Sequence, residues 1–154
     1  MIRFAIRRDE SALRRLDREV WSTLHNPGPI REGRFDITGT LVYDVEDELA
    51  GYVQLGPWSK FPSAGHVRQV RGIAVAERFR GRGIARALIE AAVGQAELQG
   101  ARKLTLQVLA HNAPARALYE ACGFVQEGTL TGVFYLDGEY VDDVFMSLDL
   151  PASR

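Results

Sequence analysis

Cysteine, histidine and net charge are all scarce in this chain, and each scarcity closes off a class of function. Cys122 is the only cysteine among 154 residues, so no internal disulfide can form. It falls at the end of an apolar helical face, where an inert buried thiol is expected rather than a nucleophile. His25, His66 and His111 are the three histidines; they lie far apart without metal-ligand spacing, so no metal site is expected. The 19 Lys and Arg nearly balance 20 Asp and Glu, for a net charge of −1. That balance gives no electrostatic reason to expect DNA, RNA or an anionic membrane as partner. No apolar run approaches the roughly 20 residues of a membrane span. Charges interrupt Met1-Ile2-Arg3-Phe4-Ala5-Ile6-Arg7-Arg8 before a signal-peptide core can form. The expectation is one cytoplasmic domain over residues 1–154, without repeats or linkers and long enough for a substantial core.

Charge that is missing globally is present locally. Arg68, Arg71, Arg78, Arg80, Arg82 and Arg86 fall within one segment. At its centre, Arg80-Gly81-Arg82-Gly83-Ile84-Ala85-Arg86 joins a β-like run, Val67 to Val75, to a long amphipathic helix. A glycine-rich turn that opens a helix points free N–H groups and the positive end of the helix dipole at one spot. Gly81 and Gly83 allow close approach, the arginines add charge, and a pyrophosphate is the natural guest. The dinucleotide fingerprint fails because its third glycine would fall at Arg86, and no Gly-Lys-Ser/Thr completes a P-loop. Taken alone, the turn is equally compatible with a plain solvated connection.

Hydrophobic periodicity orders the rest. Ile2 to Ile6 reads as a short strand, followed by a helix capped by Asp9 or Ser11 and running to about Trp21. Leu24 to Asp36 is loop chemistry around Pro27-Gly28-Pro29. Leu41–Val45 and Leu49–Leu55 read as strands joined by Glu46-Asp47-Glu48. Gly56 to Gly65 is a second long loop carrying Trp58 and Phe61. Gly72, inside the Val67–Val75 strand, predicts a bulge or a close backbone approach. Gly83 to Gln99 is the strongest helix, with Ile84, Leu88, Ala92 and Ala96 inward and Gly100 as its stop. Lys103 to Leu109 is a strand, and Asn112 caps a helix with Pro114 in its first turn. Leu130–Leu136 and Glu139–Leu148 make a hairpin about Asp137-Gly138.

Arg80-x-x-Gly83-x-Ala85 resembles the acetyl-CoA signature of the GNAT N-acetyltransferase superfamily. The register Arg78-x-x-Gly81-x-Gly83 also fits the pattern, but the first puts Ile84, Leu88 and the Ala91/Ala92 pair inward. Asn112-x-x-Ala115-x-x-Leu118-Tyr119-x-x-x-Gly123-Phe124 resembles the second GNAT block, and Arg71-Gly72-Ile73-Ala74-Val75 resembles the strand that pairs with the pantetheine arm. The resemblance is specific over Val67 to Val125. It implies an α+β fold with a mixed, mostly antiparallel sheet, in which Val67–Val75 and Lys103–Leu109 form a parallel pair splayed into a V. It implies acetyl-CoA as cosubstrate, held by Ile73, Ala74, Val75, Arg80, Gly81, Arg82, Gly83, Ile84, Ala85, Arg86, Asn112 and Tyr119.

The implied activity is acetyl transfer to a primary amine by direct attack in a ternary complex, with Tyr119 protonating the departing thiolate. A core aromatic is the bland alternative for Tyr119, and capping alone explains Asn112. Where some family members carry a glutamate base this chain has Gln107, and Gln69 and Arg71 stand at the other such position. Glu32, His111, Glu139, Asp142 and Asp143 remain candidates, as does a water chain. Arg71, Trp58 and Asp142 are the expected acceptor-pocket residues, walled by Leu24–Asp36, Gly56–Gly65 and the C-terminal hairpin. The hairpin aromatics could instead fill the core or a contact between two copies of the chain. The rival activity is a non-catalytic acyl-CoA-binding domain. The acceptor itself, whether a protein N-terminus, a lysine or a small-molecule amine, is not legible.

Overall fold

The computed structural model describes residues 1–20, 22 and 35–151. Strands are β1 (Ile2–Phe4), β2 (Thr40–Val45), β3 (Glu48–Pro57), β4 (Val67–Val75), β5 (Lys103–Leu109), β6 (Val125–Leu136) and β7 (Glu139–Asp149). Helices are α1 (Glu10–Val20), α2 (Ile84–Leu98) and α3 (Ala113–Ala121). The strands form one sheet in the order β1-β2-β3-β4-β5-β7-β6. Every neighbouring pair is antiparallel except β4 and β5. This is the expected α+β architecture.

Its functional consequence lies in one short ladder. β4 and β5 pair only through Val67 with Lys103, Arg68 with Leu104, and Gln69 with Thr105. Beyond those rungs the strands part into a V. A bulge in β4 accompanies the parting: Gln54 pairs with Gly72, but Leu55 pairs with Val70, leaving Arg71 as the extra residue. A bulged residue kinks its strand and increases the local twist, which turns β4 away from β5. The sequence expectation of a bulge at Gly72 is met one residue earlier.

The helices hold the sheet from both sides. Gly51 and Tyr52 are neighbours in β3, so their side chains leave opposite faces. A Cβ at Gly51 would lie 3.2 Å from Leu88 of α2, while the Tyr52 hydroxyl donates to Asp17 of α1 at 2.8 Å. On α2, the predicted stripe of Ile84, Leu88, Ala92 and Ala96 is buried, with Ile89 beside it. The stripe packs in one core with Leu13 and Leu16 of α1 and with Val42, Val53, Leu104, Leu106 and Met146 of the sheet. Truncating the fully buried Leu88 to alanine is expected to cost about 2–5 kcal/mol.

Several element ends differ from expectation. β3 runs on through Gly56 and Pro57, which pair with Gln69 and Arg68, so the Trp58 loop is shorter than Gly56–Gly65 suggests. β6 begins at Val125 rather than Leu130, because Val125 and Gln126 pair with Ser147 and Met146 before an irregularity at Gly128. The polar Gln126-Glu127-Gly128 run hides that start in the sequence. Gly83 is the N-cap of α2, and Gly100, at φ +77°, ends it as expected. Most of the expected loop Leu24–Asp36 lies outside the described residues.

Candidate active site

The first turn of α2 is an uncapped helix start. Gly81 and Gly83 adopt φ +77° and +76°, a left-handed conformation that L side chains rarely take. Gly83 is the N-cap, and no side chain caps the helix. The first intrahelical bond runs from the Ala87 N–H to the Gly83 carbonyl. The N–H groups of Ile84, Ala85 and Arg86 therefore lack helical acceptors. A Cβ built on Gly81 or Gly83 meets nothing within 4 Å, so the space above both glycines is open.

The arginines around this turn are not equivalent. Arg78 is tied to Glu48 at 2.7 Å and Arg86 to Glu90 at 3.0 Å. Among the described residues, Arg80 and Arg82 have no carboxylate partner. Arg80 Nε reaches the Val75 carbonyl at 3.4 Å, and Arg82 lies 5.2 Å from the Phe79 ring centroid. Ile73, Ala74 and Val75 pair with β3 along one edge; their other edge faces the open V.

Helix α3 begins quite differently. The buried Asn112 accepts the Ala115 N–H on its Oδ1 at 3.3 Å, and Pro114 sits in the first turn. Tyr119 is also buried, 6% exposed, with its ring 6.1 Å from that of Phe124. Its phenol makes no hydrogen bond to any described residue. Burial, with a smaller contribution from Cys122, pushes its pKa up to about 12, so it carries its proton at neutral pH. Burial also raises the Cys122 thiol, opposed by the charge of Arg86.

At the apex of the V lies a cavity of about 320 Å³ lined by Gln69, Val70, Arg71 and Gln107. The bulged Arg71 donates to the Pro57 carbonyl at 2.8 Å. Its guanidinium lies over Gly56, where any Cβ would come within 2.6 Å of Nε. Arg68, one rung back, has a buried Nε with no hydrogen-bond partner among the described residues, and desolvation, with the charge of Arg71, lowers its pKa. Gln69 donates to Gln107 Oε1 at 3.2 Å across the V, and Gln107 donates in turn to Asp143 Oδ2 at 2.6 Å. Asp143 is 4% exposed; burial raises its pKa, and the Gln107 amide partly offsets that rise.

Sequence reasoning named Gln69, Arg71, Gln107 and Asp143 separately and missed their connection. No local pattern joins them: Gln69 lies on the rung that ends the parallel ladder, Gln107 two residues past its partner Thr105, and Asp143 on a third strand. Trp58 and Asp142 are not among the residues lining the cavity. Trp58 is half exposed, and Asp142 accepts the Gly132 N–H at 2.7 Å, which holds a bulge in β6. Tyr135 and Tyr140 meet at a tilt in the exposed part of the hairpin, with centroids 5.0 Å apart. Among the described residues no cluster of His, Cys, Asp and Glu could hold a metal ion, and no helix is long and apolar enough to cross a membrane.

An open helix start following one strand of a splayed parallel pair, with a buried tyrosine on the helix that follows the other, defines a class. Residues 10–124 match the acetyltransferase (GNAT) family, and the chain belongs to that family, whose acyl donor is acetyl-CoA. It is 31% identical to the L-amino acid N-acetyltransferase AaaT of Escherichia coli (strain K12) over 157 residues, 96% of each protein. It is 33% identical to the spermidine N(1)-acetyltransferase of Vibrio cholerae serotype O1 over 103 residues, 66% of this chain and 57% of that one. The match to that second relative thus spans little more than half its length. The crystal structure of smu.2055 from Streptococcus mutans UA159 superposes with a TM-score of 0.88 at 30% identity, covering 98% of this chain and 99% of that one.

Proposed function

We propose that this protein transfers the acetyl group of acetyl-CoA to a primary amine by direct attack within a ternary complex. The observation that carries the reading is the α2 start: three N–H groups without a helical acceptor, two left-handed glycines under open space, and two arginines with no carboxylate partner among the described residues. A pyrophosphate satisfies the N–H groups and complements the charge. From there the pantetheine arm follows the free edge of Ile73, Ala74 and Val75 into the V. Arg78, already paired with Glu48, is the weaker choice for a phosphate ligand, which favours the Arg80-x-x-Gly83-x-Ala85 register.

The chemistry asks for a neutral amine and a protonated leaving thiolate. For a lysine-like amine, loss of the proton at pH 7 costs about 5 kcal/mol, and holding the reactants together contributes roughly 7–11 kcal/mol. Tyr119 is the proton donor: buried, protonated and, among the described residues, without a competing hydrogen bond. Asn112 keeps its amide nitrogen for the pantetheine while its oxygen caps α3. Arg71 and Arg68 make the apex cationic, which favours an acceptor with an acidic group beside its amine. An amino acid meets that demand better than a polyamine does, and both chemistries occur among the relatives. Trp58 and Asp142, proposed from the sequence for the acceptor wall, would serve only at its outer rim.

Release of free thiol from acetyl-CoA, screened over amino acids, polyamines and peptide N-termini, tests the proposal. Turnover with one class and an acetylated product by mass spectrometry is the expected result. Tight CoA binding without turnover on any amine would favour a non-catalytic acyl-CoA-binding domain. The absence of a carboxylate at Gln107 is the observation on that side.

A further inference from the structure

The glutamines at the apex are ordered by a carboxylate behind them. Gln69 pairs with Thr105 across the last parallel rung, and Gln107 lies two residues further on the same face of β5. Asp143 pairs with Leu109 in β7, which puts it diagonal to Gln107 on that face, within reach of a long side chain. The bonds run in one direction: Gln69 Nε2 to Gln107 Oε1, then Gln107 Nε2 to Asp143 Oδ2. An ionised carboxylate only accepts hydrogen bonds, so it requires the NH₂ end of Gln107. That requirement turns the Gln107 oxygen towards the cavity, and Gln69 must then present its own NH₂ end. An amide oxygen accepts two hydrogen bonds. The second lone pair of Gln107 and the oxygen of Gln69 are thus left for a guest in a cavity that both residues line.

We propose that Asp143 is a positioning residue that locks Gln107 with its amide oxygen towards the acceptor site, where this oxygen receives an N–H of the incoming amine. The inference rests on the reading of the cavity as the place where an amine acceptor binds. Glutamine cannot remove the amine's proton, but it aims the nitrogen and selects guests that donate there. Stability does not account for the arrangement, since burying a carboxylate with one side-chain partner is unfavourable. The raised proton affinity of Asp143 reflects that burial, and the Gln107 N–H is what favours its charged form.

The test uses the amine found by the thiol-release screen. Gln107→Met, similar in size but without an acceptor, should raise the Michaelis constant for the amine at least tenfold and leave that for acetyl-CoA within about twofold. Asp143→Ala should raise the amine constant similarly, because Gln107 loses its orientation. Asp143→Asn still offers an oxygen to the Gln107 N–H and should recover to within about threefold of wild type. An amine constant unchanged in Gln107→Met would overturn the inference, as would Asp143→Asn impaired as badly as Gln107→Met. If Asp143→Ala does not fold, that last comparison decides alone. A wild-type protein that binds CoA but acetylates no amine would overturn the proposed function and this inference with it. Normal wild-type turnover with an indifferent Gln107→Met would overturn the inference only.

Discussion

Helices α2 and α3 each follow one strand of the splayed parallel pair, so both begin at the same end of the sheet, yet their first turns are built in opposite ways. At α3 the chain satisfies itself: Asn112 caps the backbone and is buried, and Pro114 removes an N–H that would have no partner. At α2 it does not. The cap position is a left-handed glycine with no side chain to offer, and open space lies above it. The 3-10 turn Arg7–Asp9 that leads into α1 is a third case, where the Asp9 carboxylate takes the Ile6 N–H at 2.7 Å and two bonds from Arg3. Every helix leaves N–H groups unmatched at its start. Where a fold uses its own side chains twice and leaves a third start bare among arginines, we propose the bare one as the place for an anion.

If α2 binds the cofactor and α3 carries the chemistry, substitutions at the two helices should fail differently. The largest effect is expected from Tyr119→Phe, which should lower turnover about 100-fold and change acetyl-CoA affinity little, as stopped-flow and steady-state kinetics would establish. With the phenol pKa pushed up to about 12, the wild-type rate should show no alkaline limb from this group up to about pH 10. Turnover within about twofold of wild type, with chemistry rate-limiting, would return Tyr119 to a packing role.

Asp9→Asn should come next, and in stability alone. Its pKa is lowered chiefly by the Arg3 hydrogen bond, so its stabilisation is complete above the ordinary value of 3.8. It is lost as pH falls through the lower, folded-state pKa. Urea unfolding at neutral pH should register a loss of about 1–2 kcal/mol, allowing for the part-exposed Arg3. The gap between variant and wild type should close in strong acid. Asn112→Ala should cost about 1 kcal/mol by the same measurement. A much larger loss of CoA affinity than of stability in that variant would show that Asn112 serves the cofactor more than the helix. Smallest of all, Arg80→Gln and Arg82→Gln should each weaken CoA about threefold, roughly 0.7 kcal/mol, and more at low ionic strength than at high.

Much of this was legible in the sequence, for local reasons. The limits of β4 and β5 follow from alternation and bounding turns, and α2 from its apolar stripe and flanking glycines. The α2 turn advertises itself because glycine spacing and arginine clustering lie within seven consecutive residues. The apex network was not legible, because Gln69, Gln107 and Asp143 meet only through the register of three strands, and that register is a tertiary fact. The bulge shows the boundary between the two cases. Gly72 flags an irregularity in β4, but only the pairing with β3 shows that Arg71 is the residue expelled and aimed over Gly56. Asp142 was visible as a carboxylate on a hairpin; its bond to the Gly132 N–H depends on a bulge in the partner strand.

Calorimetric titration of CoA into wild-type protein and into a folded Gly83→Val variant tests the α2 assignment most directly. The valine takes up space now open above the helix start, at a backbone angle unfavourable to a β-branched residue. The account predicts affinity at least tenfold weaker, about 1.4 kcal/mol, with the fold intact by circular dichroism. Equal affinity in a folded variant would contradict it and place the pyrophosphate elsewhere.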